Sequence, residues 1–249
     1  MKGSVLSGWS AAWVQAAWTI RRLRRGRMLW VAGFFALGPI AFALLVVESG
    51  RTVKWDDLFA PLLLLTGIVP PLLTASTTAD EIEDRTFTYL WSRPLPRWSV
   101  LVGKLLAAIP LSMAILCLTT VICYQLAQRG VSPVDPWPAL ALPRALGAVA
   151  LASLALSLVS GGIAILMPRH GLAVAYAYLL VLDLPLSAMP FSIAKLSVTH
   201  HILILGGASP GEATGSPGTS AIWLLTIGAL WLALGLWRLS RSEFSSDAR

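Results

Sequence analysis

Charged residues are scarce in this chain. Asp, Glu, Lys and Arg make up 12% of its 249 residues, whereas hydrophobic residues make up 56% and the mean hydropathy is +0.74. Soluble domains carry about 25% charged residues, so this chain has too little charge to cover a water-facing surface. The composition therefore argues against an ordinary soluble domain and predicts that much of the apolar surface faces lipid.

Clustered metal ligands are also lacking. The two cysteines, Cys117 and Cys123, lie in one apolar run at a spacing that puts them on different faces of a helix, and we interpret them as core thiols. His200 and His201 are adjacent, so their side chains diverge on a helix and would need a third ligand to hold an ion. We predict no metal site and place the two histidines at the lipid headgroups.

Long apolar runs dominate what is present. Crossing about 30 Å of hydrocarbon takes about 20 apolar residues, and the backbone in lipid must pair its polar groups within a helix or a closed barrel. None of the runs shows the period-two alternation of a barrel strand. The sequence therefore predicts an all-α membrane protein, a single domain over 1–249, whose six transmembrane helices lie at about 28–47, 58–79, 105–128, 145–168, 171–190 and 219–237.

The basic residues favour one orientation. With the N-terminus inside, fourteen of the nineteen Lys and Arg lie on the cytoplasmic side and five on the outer side. Because cytoplasmic connections carry the excess of Lys and Arg, we expect both termini in the cytoplasm. The outer basic residues are then Arg51, Lys54, Arg129, Arg144 and Lys195.

Two further elements flank the predicted spans. Residues 8–26 combine Trp9, Trp13, Ala16, Ile20 and Leu23 on one helical face with five arginines between positions 21 and 27, a pattern typical of a helix lying in the membrane interface. The alternative is a plain basic flank. Before the last span, 191–205 is apolar but short, which predicts either a short helix on the outer leaflet or an outer re-entrant element, and 206–218 is predicted to be a loop.

The cytoplasmic connection at 80–104 is the most distinctive stretch. Four acids at positions 80, 81, 83 and 84 precede Phe87, Leu90 and Trp91, which share one helical face. Pro94 and Pro96 then end the helix. The pattern predicts a short amphipathic helix that presents a docking surface. On these grounds alone, an ordinary solvated loop is an equal alternative.

The spacing of these residues closely resembles the motif of the ABC type-2 permease family, the membrane subunits of ATP-binding-cassette exporters. The matching positions are Glu83, Thr86, Leu90, Pro94 and Arg97, followed by Gly103-Lys104. The layout of a basic N-terminal helix, six spans and a re-entrant segment is similar too. Arg85 departs from the pattern, because the family usually has Gly there.

The resemblance implies a function. The chain would form the translocation path as one of a pair of permease subunits, identical or similar, in the inner membrane, with no nucleic acid partner. Two copies of a separate ATPase would bind ATP and Mg, since Trp98 and Leu105 break the phosphate-loop pattern around Gly103-Lys104. The residues implied to contact or support that ATPase are Glu81, Glu83, Asp84, Arg85, Thr86, Phe87, Leu90, Arg93, Pro94 and Arg97. Arg93, Arg97 and Lys104 would anchor the connection at the headgroups or pair with the acids.

Some features leave alternatives open. Asp183 is the one ionisable residue inside a predicted span and is either a functional site or an acid that is neutral or bonded to backbone freed by Pro185. Ser153, Ser157 and Gly161 form a small-residue stripe suited to packing within the chain, or to a dimer interface. Rival functions are an intramembrane enzyme acting on lipid or peptide, which should show several buried acids, and a membrane anchor for a cytosolic complex.

Overall fold

The computed structural model describes residues 8–50, 52, 54–83, 96–131, 137, 139–189, 192–207 and 216–241. Within these ranges the regular structure is helical throughout and contains no strand. The described part of the chain is therefore all-α, as the apolar runs predict.

The helices are numbered here in chain order. They are α1 (Gly8–Arg25), α2 (Arg27–Glu48), α3 (Trp55–Glu83), α4 (Arg97–Ala127), α5 (Ala141–Leu166), α6 (Gly171–Ser187), α7 (Val198–Gly206) and α8 (Pro217–Arg241). Two short 3-10 turns, Gln128–Gly130 and Ser192–Leu196, follow α4 and precede α7.

Five of these helices, α2, α3, α4, α5 and α8, are long and apolar enough to cross a membrane. This identifies a multi-pass membrane protein. The fifth predicted span corresponds to α6, which ends at Ser187 instead of Pro190 and is only 17 residues long. At 1.5 Å per residue it measures roughly 25 Å, at the short limit for a crossing. Its second half contains a π-helical turn, Tyr178–Asp183.

Most of the helices extend beyond the apolar runs that predict them. The third helix continues to Glu83, so the acids Asp80, Glu81 and Glu83 belong to its last turn and do not open a separate helix. The fourth already begins at Arg97, eight residues before the run that starts at Leu105. Polar residues continue these helices, and a count of apolar residues cannot detect such extensions.

The fifth helix forms the centre of the bundle. Small residues give it a nearly continuous buried surface against α3, α4 and α8. Ser153 shares a 2.7 Å hydrogen bond with Ser112 of α4, and Gly161 lies against Leu105 of α4 and Thr74 of α3. The predicted small-residue stripe thus packs within the chain, and its residues are buried too deeply to form a dimer interface.

The second and eighth helices lie at the periphery. The second buries only a narrow row, Ala32, Ala36, Pro39 and Ala43, and exposes large side chains such as Trp30. Exposed apolar side chains on a membrane-crossing helix suit a lipid environment. The eighth runs parallel to α5, because Gly228 lies against Ala155 and Gly235 lies against Gly162.

Candidate functional site

The first candidate site lies where α3 ends and α4 begins. Lys104 of α4 is 2% exposed, and its Nζ donates a 3.0 Å hydrogen bond to the backbone oxygen of Thr77 in α3. A buried ammonium must find hydrogen-bond acceptors to offset its lost hydration. Lys104 therefore ties the two helices together inside the protein. Of its two predicted roles, anchoring at the headgroups is wrong, and pairing with the acids stays a prediction.

The first helix covers this junction. A side chain at Gly103 would have its Cβ 2.6 Å from the backbone oxygen of Ala12, so only glycine allows α1 to approach α4 this closely. Trp9 meets Trp98 edge to face, with ring centroids 5.3 Å apart. The helix predicted for 8–26 is thus present at Gly8–Arg25 and packs across the start of α4.

The face of α1 that packs on the bundle coincides only in part with the apolar face of the predicted interfacial helix. The buried residues are the small ones, Ala11, Ala12, Ala16 and Thr19, together with Leu23. Trp9, Trp13 and Ile20 of the predicted face are exposed on the flank of the helix. Small side chains form the contact because they let two helix backbones approach closely. The tryptophans then stay available for the headgroup region, where Trp is enriched.

The predicted ATPase-contacting residues flank or lie beyond the described junction. Glu81 and Glu83 are in the last turn of α3, and Arg97 is the first residue of α4. The others lie outside the described residues: Asp84, Arg85, Thr86, Phe87, Leu90, Arg93 and Pro94. The structure therefore fixes the two helices that support the connection, while the contacts of the connection itself stay predictions.

Asp183 lies at the opposite end of the bundle, where the π-helical turn of α6 ends. Its carboxylate is buried and accepts hydrogen bonds from the backbone N–H of Val198 at 2.6 Å and of Thr199 at 2.9 Å. The Thr199 hydroxyl donates a third bond, also at 2.6 Å. These N–H groups are at the N-terminus of α7, where a helix has unpaired donors and favours a negative charge.

The alternatives predicted for Asp183 are a functional site, a neutral acid, or an acid bonded to backbone freed by Pro185, and none of them names this partner. The carboxylate instead caps a helix that lies outside its own span. The Ser197 hydroxyl strengthens the joint by donating to the backbone oxygen of Asp183 at 3.0 Å, and it accepts from the N–H of His200. Asp183 and Ser197 together fasten α6 to α7.

The other end of α7 is held by aromatic residues. The indole Nε1 of Trp55 donates a 3.0 Å hydrogen bond to the backbone oxygen of Gly206. A Cβ on Gly206 would lie 2.3 Å from the ring of Phe59, so the helix end needs glycine to fit against α3. Gly207 then ends the helix in the left-handed conformation, with φ +74°. The predicted re-entrant element is thus a short helix packed into the bundle.

His201 is buried on α7, which corrects its predicted position facing the headgroups, whereas His200 is half-buried. The Nε2 of His201 donates to the backbone oxygen of Lys195 at 2.8 Å, and its ring stacks on Trp223 of α8. Burial lowers the pKa of His201 below its ordinary value. The imidazole is therefore neutral at physiological pH and serves as a packing element.

The potential metal ligands are dispersed in the part of the chain that the structure describes. Cys123 is buried, Cys117 is partly buried, and neither forms a disulfide. Among the residues that the structure describes, no three His, Cys, Asp or Glu side chains come together as a metal site. No protein-family model and no curated protein matches the chain.

Proposed function

We propose that this chain is the membrane subunit of an ATP-binding-cassette exporter in the cell inner membrane. It crosses the membrane six times, with α6 as the short fifth crossing and both termini in the cytoplasm. Two such subunits, identical or similar, form the translocation path, and two copies of a separate ATPase dock beneath them.

The joint between α3 and α4 carries this proposal. A force applied to the connection at 84–95 reaches the bundle through the two helices that flank it. Because Lys104 of α4 bonds to the backbone of Thr77 in α3, these helices are joined below the connection. Both helices also pack on the central α5. A displacement of the connection would therefore be transmitted through α3 and α4 to the rest of the bundle.

The ATPase is proposed to contact the connection through complementary charge. Glu83 and Arg85 make the charged contacts, and Arg93 and Arg97 hold the connection against the headgroups or the acids. ATP binding closes the ATPase pair, and the resulting movement passes through this contact. Three arginines of α1 are exposed, and their attraction to anionic lipid holds α1 at the membrane surface beside the connection: Arg21, Arg24 and Arg25.

The environment of Asp183 argues against the alternative function, in which the chain is an intramembrane enzyme. Both carboxylate oxygens already accept hydrogen bonds from α7. A general acid or base must exchange its proton with a substrate at hydrogen-bonding distance. Because both oxygens of Asp183 are already engaged by α7, the side chain is poorly placed for that task.

A charge reversal tests the proposal. Wild-type chain, Glu83→Lys and Glu48→Lys are purified from their own membranes in mild detergent, and the ATP hydrolysis of each eluate is measured. Glu48 ends α2 at the side of the bundle opposite to the connection, so it is a matched control. We expect Glu83→Lys to lose at least ten times more bound ATPase activity than Glu48→Lys, since it places like charges at the contact. Equal activity in both variants would refute the coupling assignment.

A further inference from the structure

A crevice opens on the side of the bundle between the end of α5, the first two-thirds of α6, and α8. Its volume is about 450 Å³, and the side chains that line it include Ile163, Met167, Val174, Tyr178, Val181 and Trp231. All of its lining surface is apolar. Ligand pockets in proteins range from about 300 to 1,000 Å³, so the crevice has room for a ligand of moderate size.

Two features of the fold shape this crevice. Gly162 of α5 has no room for a Cβ, because the backbone oxygen of Trp231 in α8 would lie 2.3 Å away, and this glycine brings α5 and α8 into direct contact. The ring of Trp231 then meets Tyr178 of α6 edge to face at 5.4 Å. Tyr178 begins the π-helical turn, and such turns are frequent at functional sites. The aromatic pair forms part of the wall, and aliphatic side chains such as Ile163 and Val174 line most of the rest.

The crevice reaches the turn between α5 and α6, where positive charge lies nearby. Met167, one of its lining residues, begins the turn to α6, and Arg169 in that turn is exposed. On α8, Arg238 follows Trp231 by two helical turns, so it lies on the same face roughly 10 Å further along. Both arginines are at the end of the bundle where α5 and α8 finish, which is a membrane boundary whichever side is cytoplasmic.

We infer that this crevice binds one acyl chain of an anionic glycerophospholipid, with the lipid phosphate held by Arg169 and Arg238. The occupant follows from the surroundings, because the crevice opens from membrane-crossing helices toward hydrocarbon and ends in two cations. An acyl chain fits the apolar wall, and the phosphate matches the charge at its end. The inference does not depend on the proposed ATPase coupling.

The chemistry of the membrane predicts how such a lipid is selected. Lipid tails are as apolar as the crevice, so filling it gains packing but little hydrophobic free energy relative to the bilayer. Each arginine near the surface favours an anionic lipid by about fivefold. The exposed Arg169 therefore predicts a preference of at least about fivefold for phosphatidylglycerol over phosphatidylcholine with the same chains.

Native mass spectrometry of the full chain in mild detergent tests this inference. The protein is titrated with equal amounts of phosphatidylglycerol and phosphatidylcholine, and the lipid that stays bound is counted. Ala177 lines the crevice and is exposed, so Ala177→Trp fills the crevice without disturbing buried packing. Ala229→Trp is the matched control, because Ala229 is also exposed but lies on the far side of α8 from Trp231.

We expect the wild type and Ala229→Trp to retain one phosphatidylglycerol and Ala177→Trp to bind it at least tenfold more weakly. Arg169→Gln combined with Arg238→Gln should keep a lipid bound but lose the preference for the anionic headgroup. Val181→Trp is a second filling variant, and either filling variant counts only if its melting temperature matches that of Ala229→Trp.

Three results would overturn the inference. The first is unchanged lipid retention in both well-folded filling variants. The second is an equal affinity of the wild type for the two lipids. The third is dissociation of an oligomer by Ala177→Trp with lipid binding intact, since the crevice would then hold a second copy of the chain.

Discussion

The two ends of the bundle both hold a charged residue in the protein interior, but they use it differently. At one end, Asp183 gives both carboxylate oxygens to the N-terminus of α7, and the joint is complete within the chain. At the other end, Lys104 joins α3 to α4 immediately below a connection rich in charge. An ionisable residue inside a membrane protein is therefore not in itself a functional site. Its hydrogen-bond partners show whether it serves the structure or another role.

The two ends also differ in how firmly their short or peripheral helices, α7 and α1, are held. The α7 end is fastened twice, by Asp183 at its start and by Trp55 at its finish. The α1 end rests on close contacts between small residues, with Gly103 against Ala12. We expect substitutions at the α7 end to reduce stability most, and substitutions at the α1 end to reduce association with a partner more than stability.

The largest effect is expected from Asp183→Ala. It removes three hydrogen bonds and leaves two N–H groups at the N-terminus of α7 unpaired, which should cost about 2–4 kcal/mol. The measurement is thermal unfolding in mild detergent. Asp57→Ala is the control, because Asp57 is an exposed acid in the first turn of α3. If both variants melted at the same temperature, Asp183 would not fasten α7.

Gly206→Ala should have the next largest effect. Its Cβ would lie 2.3 Å from Phe59, and relieving that overlap should cost about 1–3 kcal/mol. Gly38→Ala is the matched control, since no atom lies within 4 Å of a Cβ there. The same substitution at Gly38 should be neutral or stabilise the helix by up to about 1 kcal/mol. Equal melting temperatures for the two variants would mean that α7 is not held against α3.

Gly103→Ala tests the end of the bundle where α1 packs on α4. The added methyl group displaces α1 from α4, but α1 lies at the edge of the bundle and can shift, so we expect about 1 kcal/mol. The ATPase activity that co-purifies should fall by more than this loss of stability explains. Gly147→Ala is the control at an open position. A variant with full ATPase association and an intact melting temperature would show that α1 plays no part in the junction.

The smallest effect is a dependence on pH at α7. Because the pKa of His201 is lowered in the folded chain, the unfolded chain binds a proton first as pH falls. Stability is then complete above the ordinary pKa of about 6.5 and is lost as pH falls below it. Melting temperatures on either side of that pH should differ more for the wild type than for His201→Gln. An identical pH dependence would assign the titration to another group.

Much of the fold follows from the sequence. The five long helices match predicted apolar runs, because a run of about 20 apolar residues in lipid has few structural choices. The N-terminal helix is found within one residue of its predicted end. The fifth predicted span, which corresponds to α6, differs, because Pro185 and the π-helical turn limit its length in a way that hydropathy does not register.

The contacts of the polar residues could not be predicted in the same way. The partner of Asp183 is the backbone of Val198 and Thr199, fifteen and sixteen residues away, and the pairing depends on how α7 folds back. The sequence held one signal that could have found it: Ser197 is a residue that favours the start of a helix. The packed face of α1 was missed because small residues have no distinctive hydropathy, although they allow the closest contacts.

The central claim is that the connection between α3 and α4 binds an ATPase. The most direct test is to purify the full chain from its own membranes in mild detergent and to identify every protein that stays with it. The account predicts a protein with a phosphate loop, Gly-x-x-x-x-Gly-Lys followed by Ser or Thr, in equal number with the permease chains. Purification of the intact, folded chain with no such protein would contradict it.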